Sequence, residues 1–172
     1  MSAGAVEVGP RKAADLAPVA KALWSVHVAD RYPMVWPSDP VQWLEPPGLA
    51  AAWVAREAEQ IVGHIGVVAD VSDVDVRAML EKPGEAAPCL AGVTRLFVTP
   101  AGRGKGLGAR LLDAAGEWAG QHHYRLMLDV VDDGGPAIAL YERQGWKLVD
   151  RRTADWPTPE GEHLPIRIYL RP

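Results

Sequence analysis

The period of the apolar residues changes several times along this chain, and each change marks an element. Residues 5–9, AVEVG, alternate briefly and predict a short strand. Residues 15–30, DLAPVAKALWSVHVAD, switch to helical spacing. Leu16, Val19, Ala20, Leu23 and Trp24 fall on one face, and Asp15 suits the first turn. Residues 31–48, RYPMVWPSDPVQWLEPPG, carry five prolines and exclude one regular element. They predict a structured loop with a short helix over 41–44.

Alternation then returns. Residues 52–57 and 61–69 predict two strands of a hairpin. Residues 71–88, VSDVDVRAMLEKPGEAAP, are polar with one helical patch and read as an insertion. LAGVTRLFV, 90–98, predicts a buried strand. GLGARLLDAAGEWAGQ, 106–121, predicts a helix lined on one side by Leu107, Leu111, Ala115, Trp118 and Ala119. RLMLDVV is a further strand. PAIALYERQG, 136–145, is a short helix with Pro136 in its first turn and Gly145 at its end. WKLVDRRTAD and PIRIYLRP close the chain as strands around a WPTPEGEH loop. Hairpins and a β-α-β unit in this order predict one α/β domain over residues 1–172, with a single mixed sheet.

Composition narrows the class. At 172 residues the chain supports one hydrophobic core without staples. A formal net charge of −4 argues against a general nucleic-acid binder. The single cysteine, Cys89, forms no internal disulfide and reads as packing beside a strand. No window approaches the roughly 18 apolar residues of a membrane span, and the first residues lack a signal-peptide core. The expectation is a soluble, cytoplasmic protein with no membrane or nucleic-acid partner.

Candidate chemistry concentrates in VTPAGRGKGLG, 98–108. Arg103, Gly104, Lys105, Gly106 and Gly108 crowd the start of a helix. The first N–H groups of a helix lack partners inside it and, with the helix dipole, attract anions. Glycines let a ligand approach the backbone closely. The pattern points to a phosphate, unless the glycines only permit a tight turn. A Walker loop fails, because Gly106 follows Lys105 where Ser or Thr belongs. A dinucleotide fingerprint can be fitted on Gly104, Gly106 and Ala109, with Asp129 about twenty residues on as the ribose acid. TPAGR separates those glycines from their strand, however, and the chain beyond them is short for repeated β-α-β units.

The third possibility is acyl-coenzyme A, and here two motifs carry a resemblance. VTPAGRGKGLG is similar to motif A of the GNAT superfamily of N-acetyltransferases, Arg/Gln-x-x-Gly-x-Gly/Ala, with Arg103, Gly106 and Gly108 at its fixed positions. ALYERQGW, 139–146, resembles the Leu-Tyr-Glu-x-x-Gly-Phe pattern of motif B, one helix and one strand later. The resemblance implies a mostly antiparallel sheet with a splayed parallel strand pair, flanked by helices. It implies acetyl-CoA as acyl donor and a primary amine of a small molecule as acceptor. It sets the pantetheine arm along Leu96, Phe97 and Val98, and the diphosphate on Arg103, Gly104, Lys105, Gly106, Leu107, Gly108 and Ala109. The backbone N–H of Val98 faces the thioester oxygen. Tyr141 contacts the coenzyme and gives a proton to its departing thiolate; a tyrosine hydroxyl ordinarily titrates near pH 10 and can donate at neutral pH. Homodimers are common in the superfamily.

The base is less legible. Where relatives carry a glutamate, this chain has Gly92 and Thr94. His64, in VGHIGVV, is the candidate base because a histidine there can titrate near neutrality. Asp129 is a second possibility, facing the slot or ending a strand. His27, His122, His123 and His163 have no metal-site spacing, so no metal is expected. Tyr32, Trp36, Trp43 and Trp156 are candidates to wall the acceptor pocket. Asp39, Glu45, Asp155, Glu160 and Glu162 make that region acidic and favour a cationic acceptor.

Overall fold

Alternation in the apolar runs and turn residues between them give seven strands and five helices in residues 4–172, which the computed structural model describes. The strands are β1 (Val6–Pro10), β2 (Leu49–Glu57), β3 (Gln60–Val68), β4 (Cys89–Val98), β5 (Tyr124–Val131), β6 (Lys147–Thr153) and β7 (Pro165–Leu170). The helices are α1 (Leu16–Asp30), α2 (Pro40–Trp43), α3 (Val74–Leu80), α4 (Leu107–Gln121) and α5 (Pro136–Arg143). The sheet order is β1-β2-β3-β4-β5-β7-β6. Strand β1 is antiparallel to β2, and β7 is antiparallel to both β5 and β6. Only β4 and β5 are parallel, with residues 89–92 in register with 124–127. Strand β4 runs on to Val98 after its last registered partner on β5. The mixed α/β sheet with one parallel pair agrees with the sequence expectation.

Two compact units can be described separately. The first holds residues up to Val67 together with Thr94–Ala115; the second holds Val68–Val93 and Gly116–Pro172.

In the first unit, α1 lays Val19, Leu23 and Val26 against Leu44, Val54, Ile61 and Phe97. Each fully buried Leu or Val there contributes roughly 1.5–3 kcal/mol. Trp24 departs from the predicted face. It is 50% exposed, and its ring meets those of His27 and Trp36 instead. Its indole is too large for a side already filled by Val19, Ala20 and Leu23. Helix α1 ends where Arg31 takes a left-handed φ of 57° and its N–H returns to the His27 carbonyl. The proline-rich loop contains α2, whose N-cap Asp39 accepts from the Gln42 N–H at 3.0 Å. Strand β3 is buried almost throughout because α4 packs close to it. A Cβ at Gly63 would lie 3.0 Å from a Leu111 methyl and 3.3 Å from the Phe97 carbonyl.

In the second unit, alternate residues of neighbouring strands share a face. Met127, Asp129 and Val131 of β5 stand opposite Leu170, Ile168 and Ile166 of β7. Except for Asp129, these pack with Val76 of α3, Leu90 and Ala154 into an apolar cluster. The other face carries Leu128 opposite Tyr169, whose ring meets Tyr141 of α5. Pro136 begins α5, and Gly145, at φ 79°, ends it as predicted. Cys89 corrects the packing expectation: it is the first residue of β4, and its free thiol belongs to an exposed residue. Trp118 is only half-buried and stacks on His122 and Tyr124.

Candidate active site

The glycine-rich turn is built from its root upward. Strand β4 ends at Val98, and Thr99 clasps β3. Its N–H donates to the Val62 carbonyl at 2.9 Å, and its hydroxyl to the same oxygen at 3.3 Å. Pro100–Gly102 then makes one 3₁₀ turn, closed by the Gly102 N–H on the Thr99 carbonyl. Gly102 is buried against β3, where a Cβ would come within 2.8 Å of the Val62 carbonyl. This turn accounts for the TPAGR spacer and separates the arrangement from a dinucleotide loop, whose glycines follow their strand directly. Gly104 and Gly106 are left-handed, at φ 75° and 69°, and a Cβ on either would meet nothing within 4 Å. The space over the turn is open. Helix α4 begins at Leu107, and the Arg110 N–H bonds the Gly106 carbonyl at 3.2 Å.

The two cations of the turn are paired. Lys105 Nζ sits 2.7 Å from Glu57 Oε2, and Arg103 is bonded to Asp30. An incoming diphosphate would compete with one exposed carboxylate, Asp30, and one half-buried carboxylate, Glu57. Leu107 is buried, so only its backbone can face a ligand; Gly108 and Ala109 are half-buried. Leu96 and Val98 are half-buried, while Phe97 points into the core of the first unit.

His64 does not fit a base. It is wholly buried, and both ring nitrogens are engaged. An arginine can only donate, so Nε2 accepts from Arg11 Nη1 at 2.9 Å, and Nδ1–H donates to the Arg95 carbonyl at 2.8 Å. Burial, seconded by the charges of Arg11 and Arg95, depresses its pKa to about 4. The ring holds other residues in place. Arg11, its side chain only 6% exposed, also donates to the Leu44 carbonyl and pairs with Glu45.

Of the acceptor candidates, Tyr32 and Trp43 come together, edge to face at 6.1 Å. Trp36 joins Trp24 and His27, and Trp156 lies exposed between β6 and β7. The acidic reading weakens on contact with the structure: Asp39 caps α2 and Glu45 neutralises Arg11. Arg95 went unread in the sequence because LAGVTRLFV registered only as an apolar run. Its guanidinium lies 3.9 Å over the Trp43 ring.

Tyr141 is 7% exposed on α5, between the rings of Trp146 and Tyr169, each 6.0 Å away. Asp129 lies mid-strand, which rules out a mere strand-end charge. It is the one carboxylate on the β5 stretch of its sheet face. Its side chain reaches solvent, yet surrounding protein desolvates it and raises its pKa; Asp155 adds to the rise, while its own N–H and Arg152 oppose it. Three of the four remaining histidines serve local structure: His27, His122 and His163 each bond a nearby carbonyl through Nδ1. Among the described residues no His, Cys, Asp and Glu group could hold a metal, and no helix is long and apolar enough to cross a membrane.

With this geometry in hand, comparison with known proteins is informative. The model of the acetyltransferase (GNAT) family matches residues 18–146, three quarters of the chain, and the chain belongs to that family. An uncharacterized protein of Mycobacterium leprae is 31% identical over 103 residues, covering 60% of this chain; the match spans 24% of that relative's length. Among solved structures, Arabidopsis thaliana NAA60 in complex with acetyl-CoA superposes with a TM-score of 0.77 at 17% identity, covering 96% of this chain and 97% of that one. The ribosomal-protein-S18-alanine N-acetyltransferase of Escherichia coli gives 0.68 at 18% identity, over 98% and 94%. At these identities the structures establish a shared fold.

Proposed function

We propose that this chain transfers the acetyl group of acetyl-CoA to a primary amine of a small molecule, by direct attack in a ternary complex. The observation that carries this reading is the turn after β4. Two left-handed glycines open the space above it, two basic side chains flank it, and a helix N-terminus points its N–H groups there. A diphosphate is the group such a turn accommodates.

In this reading the amine nitrogen attacks the thioester carbon, and charge develops on the carbonyl oxygen. The Val98 N–H donates to that oxygen; such a donor is typically worth about 3 kcal/mol. The C–S bond then breaks, and Tyr141 protonates the leaving thiolate. Asp129 takes the proton that the amine sheds. Its raised pKa suits a group that must both accept and release a proton.

Calorimetric titration with acetyl-CoA and, separately, NAD tests the ligand class. Binding of NAD with none of acetyl-CoA would overturn the proposal. Thiol release on an amine panel then tests turnover. The absence of a carboxylate at Gly92 and Thr94 favours a second reading, a coenzyme-binding module without catalysis. Tight coenzyme binding with no thiol release on any small amine, alanine peptide or lysine peptide would select it.

A further inference from the structure

Arg95 sits within β4 but breaks its conformation. Its φ is 52°, left-handed for a bulky residue in a strand, which costs on the order of 1–3 kcal/mol and persists only where the surroundings impose it. Here they do. The Arg95 carbonyl accepts from His64 Nδ1, His64 is held through its other nitrogen by Arg11, and Arg11 is fixed by Leu44 and Glu45. A buried relay thus fixes the backbone from which the Arg95 side chain departs.

That side chain is half-buried. Its face lies on Trp43, and Nε donates to the Trp43 carbonyl at 3.0 Å. Nη1 reaches only Thr94 Oγ1, at 3.4 Å. Although its guanidinium is half-buried, no carboxylate among the described residues pairs with Arg95, unlike the similarly enclosed Arg11, which pairs with Glu45. Burial already weighs against its charge, and Tyr32, against the same Trp43 ring, opposes that effect. A desolvated guanidinium stacked on one face, with the end of its fork uncommitted, matches a planar carboxylate. Arg95 also lies on the same strand as Val98, three residues before it.

We propose that Arg95 binds a carboxylate on the acceptor, so that the acceptor is an amine that also carries a carboxylate, as an amino acid does. This inference rests on the transfer reading. It reverses the preference for a cationic acceptor that the acidic loops suggested.

The test pairs each of a set of free amino acids with its amide, and adds short peptides ending in a free or amidated carboxylate. Thiol release gives KM and kcat; calorimetry on acetyl-CoA-loaded protein gives affinity without turnover. The expected result is at least about tenfold preference for the carboxylate member of a pair, carried by KM and by affinity. In Arg95→Gln the two members become equivalent. Arg95→Lys, which keeps the charge and loses the fork, restores part of the preference, and thermal melts of both variants verify folding. Wild-type protein that treats acid and amide alike, or binds neither, overturns the inference. So does a folded Arg95→Gln that keeps the preference. Failure to bind acetyl-CoA at all overturns the transfer reading instead. Preference confined to peptides or to free amino acids identifies the source of the carboxylate.

Discussion

At His64 a single ring links pH to stability. Its pKa is about 4 in the folded protein against 6.5 in the unfolded chain, so below pH 6.5 the unfolded chain binds more protons. The contribution of His64 is therefore full above about pH 6.5 and falls as pH drops toward 4, by on the order of 3 kcal/mol across that window. Urea midpoints measured from pH 7 to 4.5 would show the fall, and His64→Gln would flatten it; an unchanged slope in that variant would assign the proton elsewhere. Asp15, held low first by the Lys12 N–H and then by Arg56, adds its own loss only below the carboxylate range. Asp129 carries the opposite sign. A raised carboxyl favours the fold when protonated, so its charge at neutral pH works against stability. Asp129→Asn is expected to raise Tm while lowering turnover at least about tenfold. The rise of kcat/KM with pH in the wild type should lie above the usual carboxylate range. Full activity in the amide variant would remove Asp129 from the mechanism. Tyr141→Phe is expected to keep coenzyme affinity and slow turnover at least about tenfold, checked by calorimetry beside thiol release. None of these environments could be read in the chain. VGHIGVV announces a strand, but the two arginines that close on its histidine lie 53 and 31 residues away in sequence.

At the scale of the element, the turn between β4 and α4 was the most legible part of the chain. Its glycines and basic residues are local, and local backbone conformation follows from local residue type. What the sequence concealed was the pairing of Arg103 with Asp30 and of Lys105 with Glu57, because it depends on where α1 and β2 end. Those pairs give a prediction. Exposed ion pairs are worth about 0–1 kcal/mol, so Glu57→Gln should free Lys105 and tighten acetyl-CoA up to about fivefold at low salt, with less gain at high salt. Weaker binding in that variant would mean that Glu57 helps the turn hold its shape. Gly106→Asn separates backbone from space: asparagine tolerates the left-handed region, yet its side chain occupies the opening over the turn. Calorimetry should record a higher Kd for acetyl-CoA with nearly unchanged Tm. Equal affinity would place the diphosphate elsewhere.

At the scale of the whole molecule, the order of strands and helices followed from periodicity, since each element announces its own apolar stripe. The single parallel register between β4 and β5 was not written in either strand; the resemblance to a family supplied it. The acceptor region was least legible. Aromatic content drew attention to four residues, and folding divided them: Tyr32 and Trp43 meet over Arg95, while Trp36 turns to α1. The double grip of Thr99 on Val62 has a kinetic meaning. Strand β3 sets the root of the glycine-rich turn before any ligand arrives, so little backbone entropy is left to lose if a ligand is captured there. Coenzyme association should then proceed in one step, its speed governed by diffusion and salt instead of by a loop that must first close.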